Sequence, residues 1–202
     1  MSLFYKLAYW AGIKPWERAA AQESARISTL FAREEAERRP PYGQALDLGC
    51  GTGMQSVELA RRGWQVTGIE IEPKAIREAR ERARAAQIDV HFVRGDVTNL
   101  RAAGVHGPFE FVLDFGLFHG LSDGHRRAMG REVTAVASPD ATMLLIAWAP
   151  GHRLLLPRGA SRADIEAAFP GWHTISEDPI PTANLPKPMR NANPAFYRLR
   201  RT

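Results

Sequence analysis

The sequence predicts an α/β domain built on a mostly parallel sheet with helices on both faces. Strand-like and helix-like segments alternate from about residue 44 to residue 148, and a glycine-rich turn closes the first strand. The intervening helical segments are long enough to serve as crossovers between parallel strands. A chain of 202 residues has room for one well-buried core and little more.

Each element has a local reason. Ala45 to Leu48 is a short apolar run ending in glycines. The stretch from Met54 to Arg62 reads as a helix closed by Gly63. Gln65 to Glu70 is the second strand. Pro73 then opens a helix, where its missing N–H costs nothing, with Ile76, Ala79, Ala83 and Ala86 as the buried stripe. Val90 to Arg94 and Phe109 to Asp114 are the third and fourth strands. A helix from about Asp123 to Ala137 leads to a fifth strand, Ala141 to Trp148.

Two regions fall outside this rhythm. Residues 1–42 read as a helical cap, with a gap at Gly12 to Pro15, a stop at Pro40-Pro41, and Leu3, Leu7, Trp10 and Ala11 at helical spacing. The main domain occupies residues 43–202. Near its end a short helix covers Arg162 to Phe169, and a proline-rich loop covers residues 178–194. The run Phe196 to Arg200 alternates like a strand suited to antiparallel pairing.

Composition narrows the function classes. Hydrophobic residues at 45% and charged residues at 24% fit a soluble globular protein. No run approaches the roughly 20 apolar residues needed to span a bilayer, and the start does not read as a signal peptide. The single cysteine, Cys50, suits a reducing interior, so a cytoplasmic location is expected. The net charge of +5 raises the question of a nucleic-acid partner. The arginines between Lys74 and Arg84 are interleaved with Glu78 and Glu81, as on a solvated helix face, and lack aromatic stacking residues. Nucleic acid is therefore the minority expectation. Histidines 91, 106, 125, 152 and 173 show no metal-ligand spacing, and no metal is expected.

In an open parallel sheet, ligands bind beyond the carboxyl ends of the strands. Four acidic residues gather there in sequence. Asp47 lies in the first strand before Gly49-Cys-Gly-Thr-Gly53, Glu70 ends the second, Asp96 follows the third, and Asp114 ends the fourth. Glu70 stands about 20 residues beyond the glycines, where a carboxylate can take the two hydroxyls of a ribose. A dinucleotide-binding G-x-G-x-x-G would need glycine at Met54, which disfavours an NAD-dependent oxidoreductase. No phosphate-binding G-x-x-x-x-G-K motif is present. An acidic set around a glycine loop suits a cation, not a pyrophosphate.

The segment Leu46-Asp-Leu-Gly-Cys-Gly-Thr-Gly53, continued by Glu70, Asp96 and Asp114, resembles the class I S-adenosylmethionine-dependent methyltransferases over roughly residues 44–150. The resemblance implies a Rossmann-like fold with a seven-stranded sheet whose C-terminal strand is antiparallel. It also implies S-adenosyl-L-methionine as methyl donor and S-adenosyl-L-homocysteine as product. By the same resemblance, Gly49 and Gly51 run under the cofactor and Asp47 lies near its amino group. Glu70 takes the ribose hydroxyls and Ile71 presses on the adenine. Asp96 accepts from the adenine amine with Val97 alongside, and Asp114 and Phe115 border the methionine moiety. Ordinary core packing is the alternative for Ile71 and Val97, and capping of the next helix the alternative for Asp96.

The acceptor is less legible. Trp16, after Pro15, and the run Asp-Phe-Gly-Leu-Phe-His119 are loosely similar to the thiopurine and thiol methyltransferase branch, which implies Trp16 lies against the cofactor. The Asn/Asp-Pro-Pro-Tyr signature of amide methylation is absent; Asp114-Phe-Gly-Leu117 stands there instead. His119 is the candidate general base for a phenol or thiol proton, with lining the pocket or bonding a loop as its alternative. Cys50, between two glycines, is a loop residue. Trp10, Trp16, Phe31, Phe115, Phe118 and Trp148 are candidate apolar walls. The expectation is a small-molecule methyltransferase acting on O, S or N of an aromatic or thiol compound, as a monomer or homodimer. An RNA methyltransferase and a cofactor-binding module without turnover remain the alternatives.

Overall fold

The computed structural model describes residues 24–151, 157–182 and 191–202. Trp10 and Trp16, and the helical spacing at Leu3 to Ala11, lie outside the described residues. The helices are α1 (Ser24–Ala36), α2 (Met54–Arg61), α3 (Pro73–Ala86), α4 (Asp123–Val136) and α5 (Arg162–Ala168). The strands are β1 (Gln44–Leu48), β2 (Gln65–Glu70), β3 (His91–Arg94), β4 (Phe109–Asp114), β5 (Ala137–Trp148), β6 (Trp172–Pro179) and β7 (Pro194–Arg201).

Local chemistry explains the boundaries. Gly53 precedes α2 with φ 74°, a left-handed turn that glycine adopts freely. A Cβ there would also stand 2.7 Å from the Phe92 ring. Pro73 occupies the first turn of α3, whose buried stripe is Ala75, Ile76, Ala79 and Ala83; Ala86 is only partly covered. Ser122 caps α4 by accepting the His125 N–H, and Ser161 with Asp164 forms a reciprocal capping box on α5.

The seven strands form one sheet in the order β3-β2-β1-β4-β5-β7-β6. The first five pair in parallel, and β7 runs antiparallel between β5 and β6. One face packs on α4 and α5 through Leu46, Leu48, Val112, Met129, Val133, Phe169 and their neighbours. The other packs on α1 and α2 through Ile27, Leu30, Phe31, Leu59, Trp64, Phe111 and Phe196. On α3, Ile76, Ala79 and Ala83 join Val57 and Phe92 in a third cluster.

Two details differ from the sequence expectations. β5 begins at Ala137, directly after α4, and not at Ala141. The residues Asp178 and Pro179, expected in a loop, close the edge strand β6. A register shift between Thr174 and Ser176 turns that strand over, with Trp172 bonding Thr134 of α4 and Ser176 and Asp178 bonding Arg33 of α1, so no single apolar stripe announces it.

Helix α1 is fastened by charge as well as by packing. Glu34, 1% exposed, accepts Arg198 Nε at 2.5 Å, Arg38 Nη1 at 3.2 Å and the Thr142 hydroxyl at 2.7 Å. Arg198 reaches Glu37 at 2.9 Å, and Arg62 holds Glu35 through two bonds of 2.6 and 2.8 Å.

Candidate functional site

The order 3-2-1-4-5 reverses direction between β1 and β4, and ligands of open parallel sheets bind in the crevice at such a reversal. The glycine loop leaves β1 on one side of that crevice, and Asp114 ends β4 on the other. Leu48 and Asp114 are register partners across the gap.

Three carboxylates meet here, all buried. Asp47 accepts the Ser56 hydroxyl at 2.5 Å. Glu70 bends back beneath the glycine loop: Oε2 accepts the Gly51 N–H at 3.2 Å, and Oε1 accepts those of Ile71 and Glu72 at 2.8 and 2.9 Å. Asp114 Oδ1 accepts the N–H groups of Gly116, Leu117 and Phe118, and Oδ2 accepts Phe118 again at 3.0 Å. Among the described residues, these bonds come only from a hydroxyl and from backbone N–H groups, never from lysine or arginine.

The electrostatic result follows from that choice of partners. Burial, with help from the Glu70 charge, pushes the Asp47 carboxyl up to about 7. Burial also pushes Asp114 up to about 7 against the pull of its backbone donors, and Asp47 adds to the rise. Glu70 moves upward for the same first reason. Burial raises the Cys50 thiol as well, which keeps it in the unreactive thiol form and agrees with a loop role.

The remaining sequence candidates divide. Ile71 is a large apolar side chain left 40% exposed, so it is not core. Val97, 7% exposed, packs in the α4-side core. Asp96 Oδ1 accepts both the N–H and the hydroxyl of Thr98, so it caps the 3₁₀ turn Val97–Asn99. Gly49 adopts φ 65°, and a Cβ there would press on Leu117 at 3.1 Å, tying the loops after β1 and β4 together. Phe115 turns toward Phe196, their centroids 6.0 Å apart. His119 is 3% exposed and stacks on Trp148 at 5.0 Å.

Phe31 and Phe118, expected as pocket walls, are fully buried core residues. Phe31 packs edge-on against Phe111, and Phe118 packs against Phe169. Their apolar character was visible in the sequence; which side of the sheet they served was not.

Residues 45–140 match a family model described as a methyltransferase domain. The sheet has the Rossmann-like class I methyltransferase fold. It is 28% identical over 142 residues to a 2-heptyl-1-hydroxyquinolin-4(1H)-one methyltransferase of Mycobacteroides abscessus, covering 70% of this chain and 56% of that one. It is 30% identical to a release factor glutamine methyltransferase of Deinococcus radiodurans, covering 81% of this chain and 64% of the relative. The chain thus spans under two thirds of the length of both relatives. Among solved structures, magnesium protoporphyrin IX methyltransferase from Synechocystis PCC 6803 with bound SAM superposes with a TM-score of 0.69 at 21% identity, over 92% of this chain and 81% of that one.

Within the methyltransferase domain, sequence reasoning missed three supporting residues. Ser56 holds Asp47. Arg82 on α3 donates to the Thr52 carbonyl at 2.9 Å and so pins the glycine loop from outside. Arg126 on α4 binds the carbonyls of Phe118, His119 and Gly159. Each lies on a neighbouring helix, and only Ser56 is close enough in sequence to have been paired with its partner by spacing. Among the described residues, no cluster of His, Cys, Asp or Glu could hold a metal ion, and no helix is long and apolar enough to cross a membrane.

Proposed function

We propose that the chain transfers a methyl group from S-adenosyl-L-methionine to O, S or N of a small, rather apolar molecule with an aromatic or thiol acceptor. The observation that carries this reading is the set Asp47, Glu70 and Asp114, buried at the sheet's reversal point with no lysine or arginine bonded to them among the described residues. A sulfonium and an ammonium supply the missing positive charge; a nucleotide phosphate would be repelled. The bound donor supplies an activated methyl group, so the protein's contribution is to hold and orient.

The residues divide that work. Glu70 uses three of the roughly four lone-pair positions of a carboxylate on backbone N–H groups, which fixes it rigidly and leaves capacity for a ribose hydroxyl. Asp47 receives the amino group, with Gly49 and Gly51 beneath. Ile71 lies against the adenine and Asp96 accepts its amine through Oδ2. Val97 backs that turn from the core. Asp114 shapes the loop that carries Phe115. His119 and Trp148 line the acceptor side. We assign His119 to the wall in preference to proton removal, because its ring is covered by Trp148.

The acceptor class rests on the Mycobacteroides relative, whose name gives a hydroxyquinolone as its acceptor. The glutamine-methylating relative is set apart by Asp114-Phe-Gly-Leu117, which replaces the amide-methylation signature. Titration calorimetry with S-adenosylhomocysteine tests the cofactor: binding is expected, with loss in Glu70→Ala, and silence in the wild type overturns the reading. Incubation with labelled S-adenosylmethionine and fractionated extract tests the acceptor. Label in the small-molecule fraction is expected. Label in RNA or protein overturns the acceptor class, and label nowhere leaves a binding module without turnover. A pH–rate profile unchanged in His119→Phe fits the wall; an inflection near pH 6.5 that disappears in that variant overturns it.

A further inference from the structure

We propose that Arg126 is the positioning residue of the acceptor side, holding His119 and Trp148 as one rigid flat wall. This rests on the reading that the acceptor sits beyond the ends of β4 and β5. Arg126 lies in α4 and is 3% exposed. Its nearest carboxylate, Asp123, stands 3.9 Å away with a side chain 61% exposed, too distant and too wet to neutralise it. Its guanidinium instead spends its donors on carbonyls. Nε reaches Phe118 O at 3.2 Å, and Nη2 reaches His119 O at 3.1 Å and Gly159 O at 2.5 Å. The plane of the group lies over the Phe118 ring, 4.8 Å from its centroid.

Those carbonyls belong to the two loops that leave β4 and β5 at the ligand end of the sheet. The links close into a circuit. Arg126 holds the backbone of His119; the His119 ring stacks on Trp148 at 5.0 Å with an interplanar angle of 24°. The Trp148 carbonyl accepts the Ala160 N–H at 2.8 Å, and Gly159 returns the chain to Arg126. Gly159 has φ 82°, and a Cβ there would collide with the Ala149 carbonyl at 2.2 Å, so this loop approaches as closely as backbone can. A buried cation bonded to carbonyls, with the charges of Asp164, Asp123 and Asp114 acting on it without a direct hydrogen bond, is an expensive way to join two loops. It is well suited to fixing them, because the planar fork sets direction as well as distance.

The test uses the full chain and the carbon-bound imidazole protons of His119, identified by their absence in His119→Phe. Stacking on Trp148 displaces their resonances upfield, and Trp148→Leu gives the unstacked reference. In Arg126→Gln the resonances are expected at the reference position. S-adenosylhomocysteine affinity falls by less than methyl uptake does, since Asp114 still holds the Gly116–Phe118 backbone from the cofactor side. Uptake of labelled methyl by the acceptor fraction falls roughly 10- to 100-fold, the cost of a displaced reacting partner. Arg126→Lys restores part of the upfield displacement, because it keeps the charge without the fork. The proposal is overturned if Arg126→Gln melts earlier yet keeps the upfield resonances. Should the Gln variant not fold, Arg126→Lys decides by the same resonances: full wild-type displacement there overturns it. Failure of the wild type to bind S-adenosylhomocysteine sinks the cofactor reading and leaves the imidazole result standing.

Discussion

Two regions of the molecule bury carboxylates, and they neutralise them by opposite means. Beneath α1, Glu34 is enclosed by Arg38 and Arg198, and the bond from Arg198 holds the neighbouring Glu37 carboxyl below the usual range. At the strand ends, Asp47 and Asp114 are as well buried but have only hydroxyl and N–H donors, and burial pushes both up to about 7. Arg198 reaches the first place from 164 residues away and Arg38 from four residues on; among the described residues no arginine bonds the carboxylates of the second. A region kept for architecture carries its own counterions. One kept for a cationic ligand leaves them to the ligand.

The sharpest way to break this comparison is to remove the charge that is answered. Glu34→Ala leaves Arg38 without its carboxylate and Arg198 with only the partly exposed Glu37, and is expected to cost about 3–5 kcal/mol by urea unfolding. The folded fraction should still bind S-adenosylhomocysteine, because the site lies elsewhere. Next in size is Asp114→Ala, which strips the acceptor from the N–H groups of Gly116, Leu117 and Phe118. A loss of about 1–3 kcal/mol is expected, with weaker cofactor binding by calorimetry. A stability loss equal to that of Glu34→Ala would erase the distinction drawn here.

A third prediction turns on pH. In the unfolded chain an aspartate releases its proton near pH 3.9, whereas folded Asp47 and Asp114 keep theirs to about 7. Between those values the folded state binds more protons, so their contribution to stability falls as pH rises and levels off above the folded value. Glu37, held low, contributes with the opposite sign: its stabilisation is present above the ordinary carboxylate range and is lost as pH falls through it. Asp47→Asn should flatten the decline in urea stability between about pH 4 and 7, and equal slopes in the two proteins would contradict the account. The smallest effect is expected for Arg33→Ala. Its pair with Asp178 spans 2.9 Å but both side chains are over a third exposed, so a change of about 0–1 kcal/mol in thermal unfolding is all it should show.

Much of this was legible in the sequence, and the legible part shares one property. The glycine loop, Glu70, Asp96 and Asp114 each belong to a strand end and act on backbone within a few residues or through one neighbouring strand, so local pattern and spacing reveal them. Asp96 illustrates how far that goes: its capping bond to Thr98 is local and is the alternative expectation, while its bond to the adenine amine is implied only by resemblance. Arg126 and Glu34 carry no local signal, because what defines them is the loop or strand they meet across the fold. Phe118 and Phe115 show the same limit at closer range. They are three residues apart after one strand, yet one enters the α4-side core and the other turns toward Phe196. Strand β6 escaped notice because an edge strand with polar residues on both sides has no apolar period to read.

The insertion of β7 between β5 and β6 also sets an order of assembly. The first five strands pair in parallel and can build their sheet without help from later residues. β6 cannot join them: its partner throughout is β7, and β7 is what meets β5, with Thr142 opposite Arg200. Until that distant pairing closes, the edge of β5 stands open, a long apolar strand with unpaired backbone groups and a template for other chains. The antiparallel pair β6–β7 is the last part of the sheet along the chain, and it covers that edge. It protects the nascent domain from its own copies.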